Sequence, residues 1–121
     1  MEVFREFKFE AAHRLPRVPE GHKCGHLHGH SYRVEIHVRG EVDPVSGMVI
    51  DFGEIKSAAD PLVSRLDHRC LNDIDGLENP TSENLARWVW KNLEGALPLS
   101  SIVVRETAAT GVTYTGDGDP S

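Results

Sequence analysis

The run from His28 to Arg39, HGHSYRVEIHVR, constrains the fold more than any other stretch of the chain. Tyr32, Val34, Ile36 and Val38 alternate with Arg33, Glu35, His37 and Arg39, and Gly40 closes the run. A period of two is the signature of a strand with one apolar face. Followed backwards, the even register passes through His30 and then His28. A second alternating run precedes it: Val3, Arg5, Phe7, Phe9 and Ala11 against Phe4, Glu6, Lys8, Glu10 and Ala12. Its odd register ends on His13.

The middle of the chain reads as two helices. Asp43-Pro44 and Ser46-Gly47 mark a turn, and Met48, Val49 and Ile50 lead out of it in an extended conformation. Asp51 is the expected cap of the first helix, with Glu54 completing a capping box, and Phe52, Ile55, Ala59, Leu62 and Leu66 recur at helical spacing. Pro61 falls inside that pattern and predicts a kink or a poorly bonded turn. Thr81 is the expected N-cap of a second helix running through Leu85, Trp88, Val89 and Leu93, ended by Gly95 and Pro98. Ile102, Val103 and Val104 then open a third strand, and Val112 with Tyr114 a fourth, joined through Ala108 to Gly111. The order ββααββ predicts an α+β fold: a four-stranded antiparallel sheet with two helices on one face. Residues 1–116 are read as one domain and 117–121, which carry no apolar side chain, as a flexible tail.

With 121 residues the chain is long enough for one core without a disulfide or metal staple. A net charge of −6 argues against a nucleic-acid binder, which needs a basic face. The first ten residues carry no signal-peptide pattern, and no apolar run approaches the roughly 18 residues of a membrane span, so a cytoplasmic protein is expected. Cys24 and Cys70 are accordingly read as free thiols.

The segment from Cys24 to Tyr32, CGHLHGHSY, concentrates the chemistry. Residues two apart in a strand lie about 6.6 Å apart on one face, close enough for two imidazoles to share an ion. His28 and His30 meet that spacing. His26 extends the register, but three alternate positions span roughly 13 Å, so two of the three are expected ligands. The third comes from elsewhere, and His13, at the end of the neighbouring apolar register, is the candidate. Three histidines suit Zn2+ with an open fourth position, the arrangement of a catalytic site; a closed site of Cys24 with three histidines is the structural alternative. His22 and His37 read as solvent-facing.

Asp67-His68 closes the first helix. As immediate neighbours the two do not easily bond each other, but together they can flank a thiol or a substrate hydroxyl; the alternative is a surface pair compensating the helix dipole. Glu106 continues the register of Ile102 and Val104, which turns its carboxylate to the buried face. A buried carboxylate needs a partner. Either a base such as Arg87 supplies it, or a ligand with two parallel N–H donors does.

In order along the chain, Phe9-Glu10-Ala11-Ala12-His13-Arg14-Leu15, Cys24 with Leu27-His28-Gly29-His30-Ser31-Tyr32, Val49-Ile50-Asp51-Phe52, Leu66-Asp67-His68, Asn79-Pro80-Thr81-Ser82-Glu83 and Glu106-Thr107 resemble the 6-pyruvoyl-tetrahydropterin synthase family. The short gap from Cys24 to His28 resembles its bacterial 6-carboxy-5,6,7,8-tetrahydropterin synthase branch, which serves queuosine biosynthesis. The resemblance implies the tunnelling fold, assembled as stacked rings, a hexamer, with sites at subunit interfaces. It implies His13, His28 and His30 as zinc ligands, Cys24, Asp67 and His68 as a catalytic triad, and Glu106 as the pterin anchor. The implied reaction is a lyase step converting 7,8-dihydroneopterin triphosphate to 6-carboxy-5,6,7,8-tetrahydropterin, acetaldehyde and triphosphate. Synthesis of 6-pyruvoyltetrahydropterin, or a non-enzymatic zinc-stabilised binding module, are the alternatives. His26 and Cys70 have no assigned role.

Overall fold

The computed structural model describes residues 1–116. At its centre β1 (Glu2–His13) and β2 (His28–Arg39) pair antiparallel along their whole length, from Glu2 opposite Arg39 to His13 opposite His28. The chain continues through α1 (Phe52–Leu66), β3 (Arg69–Cys70), α2 (Ser82–Leu93), β4 (Leu99–Arg105) and β5 (Gly111–Tyr114). The sheet order is β3-β1-β2-β4-β5. The expected tail, 117–121, lies outside the described residues. No helix among those residues is long and apolar enough to cross a membrane.

The sheet therefore has five strands and is mixed, not four-stranded and antiparallel: β3 runs parallel to β1, with Ala11 beside Arg69 and Ala12 beside Cys70. Two residues are too few for any alternation to signal a strand. The pairing is set by the turn before it. His68 takes a positive φ of 58°, its N–H donates to the Glu10 carbonyl at 2.6 Å, and the Asp67 carboxylate accepts the Glu10 N–H at 2.9 Å. An aspartate side chain thus supplies the acceptor that a longer strand would have offered from its backbone.

One sheet face carries Phe7, Phe9, Ala11, Tyr32, Val34, Ile36, Val38, Ile102 and Val104, all buried. Against it pack Ile55, Ala59, Leu62 and Leu66 of α1 and Leu85, Val89 and Leu93 of α2. Asp51 caps α1 by accepting from the Gly53 N–H at 2.7 Å, and Thr81 caps α2 by accepting from Asn84 N–H at 3.1 Å. α1 runs unbroken through Pro61. Pro61 still contributes no backbone donor, but buried Leu62 and Leu66 hold the following turn on the sheet. Phe52, read as part of the apolar stripe, is instead 54% exposed.

β4 starts at Leu99, earlier than Ile102, because Ser100 and Ser101 hide the alternation. The register slips between His37 and Val38, which face Ser101 and Leu99. On the uncovered face His37 is not the solvent-facing residue expected: Phe4 stacks on it at 4.7 Å, and its ring nitrogens lie 3.0 Å from Glu2 and 2.9 Å from Glu35. Beyond β4, Gly111 brings β5 so close that a Cβ there would sit 2.6 Å from the Val104 carbonyl oxygen. Glu106 lies one residue past β4, at the start of this tight return rather than within the strand.

Candidate metal centre

The registers of β1 and β2 converge on one end of the helix-covered face. His13 sits opposite His28, His30 opposite Ala11, and Tyr32 opposite Phe9. His13, His28 and His30 consequently form a triangle, with ring centroids 4.7, 5.0 and 4.8 Å apart and planes crossing at 66°, 84° and 90°. One nitrogen from each lies within 4.8 Å of the other two. His13 is fully buried; the other two are half-buried.

Proton placement decides what this triangle is suited to hold. His13 Nδ1 lies 2.8 Å from the Pro80 carbonyl, and His28 Nδ1 lies 2.7 Å from the His26 carbonyl. Carbonyls only accept, so each ring carries its proton on Nδ1 and presents a bare Nε2. Those two Nε2 atoms are 3.1 Å apart. His30 Nε2 is buried with no hydrogen-bond partner among the described residues. The Glu106 carboxylate completes the group, its Oε1 3.5 Å from His13 Nε2 and 3.7 Å from His30 Nε2. Lone pairs gathered in this way repel unless a cation lies among them. Burial pushes the His13 imidazole below its usual range, outweighing the opposite pull of Pro80 and Glu106, which keeps the ring in its neutral, ligating form. The cluster fits a borderline-soft divalent ion such as zinc.

Three contributors have no counterpart in the sequence reading. The Tyr32 hydroxyl lies 3.1 Å from His13 Nδ1, where it shares that proton with the Pro80 carbonyl and fixes the ring. Burial, with Glu106 second, raises the Tyr32 phenol well above its usual range, so it stays protonated. The Ser82 hydroxyl, at the start of α2, is 3.5 Å from Glu106 Oε1. The carboxylate thus stands at the positive end of a helix dipole. Tyr32 shares the register of His28 and His30, a signal the sequence offered; the Pro80 and Ser82 contacts depend on tertiary packing. The partners Glu106 finds on the buried side are the histidines and this serine.

The remaining candidates lie apart. Cys24, in a short 3-10 turn, is half-buried and outside the histidine group, so the closed site of Cys24 with three histidines is not formed. Its N–H donates to His22 Nδ1 at 3.0 Å, which gives exposed His22 a capping role. His26 enters only through the carbonyl that holds His28. Asp67 and His68 do bond each other, at 3.0 Å between Oδ1 and Nδ1, contrary to the expectation for immediate neighbours. The positive φ of His68 folds its ring back toward the carboxylate. The Glu10 N–H holds the Asp67 carboxyl below the usual carboxylate range, with His68 adding to the effect. Among the described residues, no hydrogen bond or ion pair links this pair to Cys24 or to the histidines. His68 borders a shallow depression lined also by Glu10, Ser31, Arg69 and Cys70 and reaching His30 of the triangle.

Known proteins resemble this chain in sequence and fold. The chain is 45% identical over 119 residues to 6-carboxy-5,6,7,8-tetrahydropterin synthase of Synechocystis sp., covering 93% of this chain and 91% of that protein. It is 39% identical over 108 residues to dihydroneopterin monophosphate aldolase of Pyrococcus furiosus, covering 86% and 88%. The solved structure of Caenorhabditis elegans 6-pyruvoyl tetrahydropterin synthase superposes with a TM-score of 0.88 at 32% identity, covering 96% of this chain and 95% of that one. The family model of 6-pyruvoyl tetrahydropterin synthase matches residues 2–117. From strand register to histidine triangle to these likenesses, the chain belongs to the 6-pyruvoyl tetrahydropterin synthase family, with its tunnelling fold of two helices on a mixed five-stranded sheet.

Proposed function

We propose that this protein converts 7,8-dihydroneopterin triphosphate and one water to 6-carboxy-5,6,7,8-tetrahydropterin, releasing acetaldehyde and triphosphate, in the cytoplasm and on the route to queuosine. The observation that carries the reading is the meeting of three imidazole nitrogens, two of them bare, with one carboxylate, 3.5 Å from His13. His13, His28 and His30 hold Zn2+, and Glu106 accepts the paired N–H donors of a pterin edge. When bound, zinc supplies Lewis-acid polarisation of the substrate's side-chain hydroxyls, the effect that lowers the pKa of water from about 15.7 to about 7 in favourable sites. Cys24 accepts and returns protons at the substrate side chain, while His68, held by Asp67, serves as its partner acid and base. The same residues would serve synthesis of 6-pyruvoyltetrahydropterin, the reaction in the name of the Caenorhabditis elegans relative. Acetaldehyde separates the two, because only the carboxy product requires carbon–carbon cleavage.

Mass spectrometry of the products from zinc-loaded protein and 7,8-dihydroneopterin triphosphate, with acetaldehyde trapped in parallel, tests the reading. A 6-carboxypterin with one acetaldehyde per turnover supports it. A diketo product without acetaldehyde redirects it to the pyruvoyl reaction, and unchanged substrate with zinc in place removes both. Glu106→Gln is expected to raise KM about 10- to 100-fold with a smaller change in kcat, since an amide offers one acceptor where the carboxylate offers two.

The separation of Cys24 from Asp67-His68 supports a site shared between chains. Beyond the two residues of β3, the outer edge of β1 has no strand partner among the described residues, which suits edge-to-edge assembly into rings. Mixed from separately inactive stocks, Cys24→Ala and His68→Ala chains are expected to regain part of the wild-type turnover as mixed oligomers form. Two variants that stay inactive together would place the whole triad within one chain.

A further inference from the structure

We infer that Asn72 is a positioning residue for Cys24: its carboxamide stands where a strand peptide would pair with Arg14, and it fixes the peptide group on which the loop carrying the thiol closes. The inference rests on the reading of Cys24 as the group that moves the substrate proton, and it names what holds that thiol in place.

The parallel pairing of β1 with β3 ends at Ala12 beside Cys70. Arg14 lies beyond it, yet one side chain satisfies both of its backbone groups. Asn72 Oδ1 accepts the Arg14 N–H at 2.9 Å, and Asn72 Nδ2 donates to the Arg14 carbonyl at 2.8 Å. An N–H needs an acceptor and a carbonyl needs a donor, so the partners fix which way the carboxamide points. A longer β3 would have offered the same pair of groups from its backbone, but the chain turns instead into a short 3-10 helix, Leu71–Asp73. Asparagine and glutamine alone carry a planar amide that can replace that backbone, and asparagine does so on the shorter stem.

The platform under the carboxamide is firm. Leu71, immediately before Asn72, is fully buried in the core, and its carbonyl accepts the Ile74 N–H at 3.0 Å. The Cys70 thiol lies 3.7 Å from Asn72 Oδ1, a weak additional donor to the same oxygen.

From Asn72 the constraint reaches Cys24 through a single peptide group. The Arg14 carbonyl and the Leu15 N–H belong to one planar unit. Its carbonyl accepts from Asn72, while its N–H donates to the Cys24 carbonyl at 2.9 Å. Three amides are therefore joined in a chain, an arrangement in which each bond polarises and strengthens the next. The Cys24 N–H is tied as well, donating to His22 Nδ1 at 3.0 Å. With Asn72 removed, the Arg14 carbonyl loses its donor and the unit that orients Cys24 can turn. The segment that carries Asp67 and His68 thus also braces the loop that carries the thiol.

Two variants of the zinc-loaded full-length protein test the assignment, with 7,8-dihydroneopterin triphosphate as substrate. Asn72→Ala removes the carboxamide. Asn72→Asp keeps its size and an acceptor for the Arg14 N–H but sets an oxygen against the Arg14 carbonyl. Both are expected to keep full zinc and to lose roughly 10- to 100-fold in kcat with little change in KM, the cost of misplacing a reacting group by about 1 Å. Hydrogen exchange at the Leu15 amide, read without substrate, is expected to quicken roughly 10-fold. Placed on Cys24→Ala, Asn72→Ala is expected to lower kcat no further, because no thiol is left to misplace. Unchanged Leu15 exchange in Asn72→Ala overturns the brace, whatever the reaction proves to be. Wild-type kcat in Asn72→Ala beside an inactive Cys24→Ala overturns the positioning role and leaves the thiol its own. Losses that add in the double variant, or zinc lost with Asn72, overturn it too, by placing the action of Asn72 on another group such as neighbouring His13. Full turnover in Cys24→Ala removes the reading of the thiol and this inference with it.

Discussion

A His28→Ala chain is expected to lose its metal and its turnover while keeping its fold. His28 stands at the first position of β2, where its Nδ1 is fixed by the His26 carbonyl and its Nε2 faces that of His13. Removing the ring leaves two imidazoles, too few for the three-ligand site of a catalytic zinc. The loss exceeds the roughly 10- to 100-fold that follows removal of a mere supporting hydrogen bond. The fold survives because the core lies elsewhere, between Phe7, Val34, Ile36 and Ile102 of the sheet and Ile55, Leu62, Leu85 and Val89 of the helices. Metal content after dialysis against a weak chelator checks the first half of the expectation, and thermal melting of the metal-free chains checks the second. Retention of one zinc per variant chain would move the site off this triangle. Unfolding of the wild-type chain by chelation alone would make the metal structural, because in small sites of that kind metal binding and folding are one equilibrium.

That separation between core and site was largely legible in the sequence. Alternation in 3–12 and 32–39 gave two strands whose registers, carried forward from Ala11 and backward from Tyr32, place His13, His28 and His30 on one face. Thr81 and Asp51 announced the two helix starts by their capping chemistry. What escaped depends on contacts that no local pattern encodes. The two-residue β3 is held by the Asp67 carboxylate and the positive φ of His68, not by any periodicity of its own. His37 reads as an exposed member of an alternating run, yet two carboxylates and the Phe4 ring enclose it, one of them from the start of β1. The register of Ile102 and Val104 turns Glu106 toward the histidines but leaves its carboxylate 28% exposed and names none of its neighbours, because α2 and two histidines reach it from distant parts of the chain. Periodicity carries the face of a residue; its partners come from topology.

Cys24→Ala is expected to reverse the pattern of His28→Ala: full zinc, an unchanged fold and a collapsed kcat. Cys24 lies outside the group of three histidines, so its loss leaves the donor set complete. Its structural contributions are made by the backbone, through the carbonyl that closes the loop on Leu15 and the N–H that donates to His22, and alanine keeps both. Only the thiol goes. If it moves the substrate proton, kcat falls by roughly 10²- to 10⁴-fold with little change in KM, the range typical of losing one general acid or base. Cys24→Ser should recover only a small part of the rate, because a hydroxyl preserves size but ionises far less readily than a thiol and so offers almost no anion to accept the proton. The decisive comparison sets zinc content beside kcat for both variants. Zinc lost with Cys24 would revive the closed four-ligand site, and full turnover without it would leave the proton chemistry to Asp67 and His68.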